Sequence, residues 1–160
     1  MRGNECLISS LGSALRVPTG EDGNTLHLIE PQETCGKRPQ YIAPELFRND
    51  PFDGYAIDLW AAGVMLYLML FGLEAFFSAP IPEDPVYQEI CINGHLKQVA
   101  EKAQALMADQ KAVSEEAIDL LQNILREDPA DRLTLAEVKN HAWLKTQESS
   151  SATAGSNTTT

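Results

Sequence analysis

Residues 59–73 read LWAAGVMLYLMLFGL, fifteen positions without a charged side chain. With the residues before it, the stretch YAIDLWAAGVMLYLMLF predicts one helix over Tyr55–Phe71. Ala, Leu and Met favour the helix, and Gly72 offers a C-terminal stop. A helix apolar on all sides must be covered by protein or lie in lipid. A membrane span needs about 20 apolar residues, so burial inside protein is the expectation. One acid, Asp58, interrupts the run. Burying an unpaired carboxylate is costly, so Asp58 needs donors or must face water.

The chain has 160 residues, room for one domain with a core around that helix. Hydrophobic residues make up 44%, as in an ordinary globular protein. The formal net charge of −11 argues against wrapping nucleic acid, which needs clustered Lys and Arg, and against docking on anionic lipid. Cys6, Cys35 and Cys91 are odd in number and form no Cys-x-x-Cys pair. Neither a disulfide framework nor a structural zinc site is expected, and a reducing compartment fits. The N-terminus, MRGNECLISS, has too short an apolar core for a secretory signal. The expected location is cytoplasmic or nuclear.

Residues 1–40 read as irregular. ECLISSLGSALRV and TLHLIE could each supply a short strand, with Pro18, Gly20 and Gly23 setting turns between them. After the central helix, EAFFSAPIPEDP is a proline-rich loop, and helices are expected at Val86–Ile92 and Lys97–Gln110. Ser114 caps an amphipathic helix, SEEAIDLLQNILRE, with Glu115 and Glu116 at its positive end and Arg126 near its negative end. Ala117, Ile118, Leu121, Ile124 and Leu125 form its apolar face, and Asp128-Pro129 ends it. Thr134 and Glu137 make a capping box for the last helix. Residues 41–145 thus form a helical domain, and 146–160 a polar, solvated tail.

Three stretches in fixed order carry a resemblance. YIAPEL, with Ala43, Pro44 and Glu45, resembles the Ala-Pro-Glu motif that closes the activation segment of eukaryotic protein kinases. Asp58, Trp60 and Gly63 are similar to the Asp-x-Trp-x-x-Gly signature of the central helix of the kinase C-terminal lobe. REDPADRLTLAEVKNHAWL, with Arg132, resembles the last block of that lobe. The likeness runs over about residues 5–145 and leans toward the calmodulin-dependent branch of Ser/Thr kinases. It implies a mainly α fold: the helical C-terminal lobe from the end of the metal-binding loop onward, with the N-terminal lobe absent.

The resemblance also implies roles. Glu45 would pair with Arg132, whose planar guanidinium suits a buried carboxylate better than an ammonium does. The counterpart of Asp58 accepts N–H bonds from a catalytic loop that this chain lacks, so Asp58 is expected exposed or unsatisfied. An apolar patch is expected along Tyr55–Phe71 for the same reason.

The family uses ATP and magnesium, and the groups that hold them are not in this sequence. No G-x-G-x-x-G occurs, and none of His27, His95 and His141 is followed by Arg-Asp. Ser10 and Leu11 stand before Gly12 where the family has Asp and Phe, and a hydroxyl cannot replace a carboxylate as the main magnesium ligand. Ser10 is equally readable as an ordinary loop serine. The substrate-facing loop, Cys35-Gly36-Lys37-Arg38-Pro39-Gln40-Tyr41, is one residue longer than the family's and lacks its Thr. Thr34 lies where kinases take an activating phosphate, but the catalytic-loop arginine that would meet it is not encoded. Phe76 and Phe77 read as packing or a partner contact. No catalytic, cofactor or metal residue is expected in this chain by itself.

Three readings stay open. One is a pseudokinase-like piece that binds a protein partner through the exposed face of the central helix. Another is a truncated record of an active Ser/Thr kinase. The third is a decayed or mispredicted gene product.

Overall fold

The computed structural model describes residues 7–9, 11–21, 27–31, 38–72, 78–106 and 112–145. Its helices are α1 (Pro44–Phe47), α2 (Gly54–Phe71), α3 (Pro85–Tyr87), α4 (Leu96–Leu106), α5 (Glu115–Ile124) and α6 (Leu135–Asn140). A last helical turn follows at 142–145. Single 3-10 turns lie at Leu11–Ser13, Pro39–Tyr41 and Pro129–Asp131. Among the described residues there is no strand; an isolated antiparallel bridge joins Ile29 to Phe52, and Thr19 also takes part in a bridge. Over the described residues 7–9, 11–17 and 27–30, the two possible short strands near the start are therefore corrected to a 3-10 turn and an isolated bridge. A lone strand has no pairing partner for its backbone, and Leu7, Ile8, Leu11, Leu15 and Leu28 stay exposed.

The Asp53 carboxylate caps the start of α2 by accepting the Tyr55 N–H at 2.8 Å. Gly72 ends it at φ 66°, a conformation that costs glycine nothing, with its N–H donating to the Leu68 carbonyl. By length and composition α2 could cross a membrane. Here one side of it forms the centre of a core: Trp60, Gly63, Val64, Tyr67 and Phe71 are buried. They meet Tyr87, Ile90 and Cys91 before α4, Leu96 and Ala100 on α4, Leu121 on α5 and Leu125 just past its end. Each large side chain so buried contributes about 1.5–3 kcal/mol of transfer free energy.

Around α2 the shorter helices are held by side-chain caps. Ser114 Oγ accepts the Ala117 N–H, and Thr134 and Glu137 form the reciprocal capping box. On α5 the buried residues are Ala117, Leu120, Leu121 and Ile124. Leu120 thus joins the face read from the sequence, while Ile118 is only partly covered. Gln122 ties three elements together. Its Oε1 accepts the first N–H of α4, at Leu96, and its Nε2 donates to the Ile90 carbonyl, each at 2.9 Å.

The helix expected at Val86–Ile92 starts at Pro85 and changes its winding. Gln88–Ile92 is a π turn, closed by the Asn93 N–H on the Gln88 carbonyl. The wider turn leaves Ile90 and Cys91, adjacent in sequence, both in the core. The helix expected at Lys97–Gln110 is observed as Leu96–Leu106, and residues 107–111 lie outside the described set.

Asp84 anchors the loop before α3. One carboxylate oxygen accepts the Val86 and Tyr87 N–H groups, and the other accepts the Ser78 N–H and hydroxyl. Partial burial alone would raise its pKa, but these bonds outweigh it and hold the carboxyl below its ordinary value. A depressed folded value gives stability that is present at neutral pH and lost as pH falls through it. Urea midpoints of the native protein should therefore drop below about pH 4, and Asp84→Asn should flatten that part of the profile.

Candidate functional site

The Ala43-Pro44-Glu45 stretch turns extended chain into helix. Ala43 sits at the N-cap with extended backbone, and Pro44 at the first helical position loses no hydrogen bond. Ala43 and Pro44 are buried, which fixes the direction of Glu45. Arg132 reaches it from the far end of the chain, just past the 3-10 turn Pro129–Asp131.

Glu45 and Arg132 are the two buried charged side chains among the described residues. The guanidinium donates from Nη1 to Glu45 Oε1 and from Nη2 to Glu45 Oε2, both at 2.7 Å. Its Nε donates to the Arg126 carbonyl at 2.8 Å, and Nη2 donates again to the Glu127 carbonyl at 3.0 Å. One face of the guanidinium lies over the Trp60 ring, 4.7 Å from its centroid. The arrangement staples α1 to the α5–α6 connection across the central helix. Nothing in the sequence pattern signals the Trp60 contact or the two carbonyls; both depend on how the 126–132 turn folds.

Other site residues are placed differently. Gly63 faces α5, where a Cβ would stand 2.5 Å from Ile124 Cγ2. Asp58 is exposed, on the side of α2 away from Trp60. It borders a cavity of about 330 Å³ lined by Leu15, Val17, Ile29, Phe52 and Tyr55. Tyr55, Met65 and Met69 are also exposed on this side, at 55%, 51% and 74%. Ser10, Thr34, Phe76, Phe77 and the Cys35–Lys37 part of the substrate-facing loop lie outside the described residues.

A second cavity, of about 420 Å³, adjoins the staple and is lined by Arg48, Arg126, Glu127, Asp131 and Cys91. Arg48 is held there by Asp50 and Glu127, at 3.0 and 3.1 Å. Burial pushes the Cys91 thiol up, so it stays protonated and unreactive. No group of three His, Cys, Asp or Glu residues able to hold a metal occurs among the described residues. One cavity offers a single carboxylate in an apolar lining, and the other brings Arg48 and Arg126 together with Glu127, Asp128 and Asp131.

The protein kinase domain family model matches residues 6–144. The chain belongs to the protein kinase domain family. It is 39% identical over 114 residues to the serine/threonine-protein kinase SRK2C of Arabidopsis thaliana, covering 71% of this chain and 31% of that protein. To the serine/threonine-protein kinase SAPK2 of Oryza sativa subsp. indica it is 36% identical over 141 residues, covering 88% of this chain and 39% of that protein. Calcium-dependent protein kinase 1 of Oryza sativa subsp. japonica is 34% identical over 105 residues, covering 66% of this chain and 18% of that protein. The chain thus spans two fifths or less of each of these curated relatives. They come from more than one group of Ser/Thr kinases and do not single out the calmodulin-dependent branch. The mainly helical architecture is that of the C-terminal lobe of this kinase domain, with α2 as its central helix.

Proposed function

We propose that this polypeptide is a Ser/Thr kinase-like lobe that scaffolds a protein partner and, by itself, neither binds ATP nor transfers phosphate. The observation that carries the reading is a contrast within one lobe. The Glu45–Arg132–Trp60 staple is complete, whereas the sequence holds no G-x-G-x-x-G and no His-Arg-Asp. Phosphoryl transfer rests on positioning and on charge neutralisation by metal and lysine, and without those groups nothing grips the triphosphate. A cytoplasmic or nuclear setting suits such a scaffold.

Titration with magnesium-ATP tests it. The melting temperature should show no saturable rise, since only a ligand of the native state stabilises that state. A saturable rise overturns the reading. One observation favours a second reading, in which the whole protein is an active Ser/Thr kinase. Asp58 is a carboxylate set in an otherwise apolar helix and facing solvent, as if its hydrogen-bond donors belonged to further chain. An open frame upstream of Met1 encoding a His-Arg-Asp loop decides for that reading, and interrupted coding sequence decides against it.

A further inference from the structure

We draw no further inference here: the strongest candidate, the cavity of about 420 Å³ between the π turn and the 126–131 turn, sets Arg48 and Arg126 against Glu127, Asp128 and Asp131, so its mixed charge selects no class of ligand and nothing in the structure shows what covers it.

Discussion

Replacing Arg132 with alanine lowers the unfolding free energy by about 3–5 kcal/mol, the cost of leaving one half of a buried ion pair behind. The loss has three parts. Glu45 keeps its charge in a buried site with no donor. The Arg126 and Glu127 carbonyls lose the N–H groups that satisfied them. The Trp60 ring loses the cation over its face. The figure is the cost of breaking the pair, not its net worth, because both charges gave up water to enter the fold. Glu45→Gln tests the division. It keeps the shape and one acceptor and leaves both Arg132–carbonyl bonds in place, so it should cost less, about 1.5–3 kcal/mol. Arg132→Lys should fall close to the alanine variant, because one ammonium cannot meet four acceptors laid out for a planar fork. Urea unfolding of the three variants reads the order directly. A lysine variant as stable as the native protein would show that charge alone, not the fork, holds α1 in place.

That staple also shows what the sequence could and could not reveal. The helices over 54–71 and 115–124 were legible because their apolar content, Ser114 and Gly72 mark them locally, whereas the Asp53 cap was not read. The capping box at Thr134 was legible for the same reason. Glu45 and Arg132 lie 87 residues apart, and no local pattern joins them; their pairing could be anticipated only from the resemblance to kinases. Leu120 was missed because Ile118 and Leu120 are both apolar, so periodicity alone does not choose which of them completes the buried face. The π turn at Gln88–Ile92 has no signature, since it accommodates one extra backbone residue to suit the core rather than a side-chain preference. The exposed side of α2 was anticipated from the resemblance, as an apolar patch along Tyr55–Phe71, but not which of its residues would form it. Which face is filled is decided by α4 and α5, and their docking depends on Gly63.

Gly63→Val is the second large effect, and its sign runs against helix propensity. In an exposed helix, replacing glycine relieves a penalty of about 1 kcal/mol against alanine. Here a Cβ would stand 2.5 Å from Ile124 Cγ2 and 3.2 Å from Leu125 Cδ2. Ile124 and Leu125 are buried and packed, so neither can swing away. α5 has to move off α2, and valine adds two further methyls at the contact. The expected loss is about 3 kcal/mol, the upper part of the range for overpacked cores. Gly63→Ala should lose less, and its cost should shrink when combined with Ile124→Ala, which removes the clashing methyl. The two single changes are then non-additive, with a coupling of about 1 kcal/mol or more in favour of the double variant. Strict additivity in urea unfolding would mean that the helices approach less closely than this contact requires.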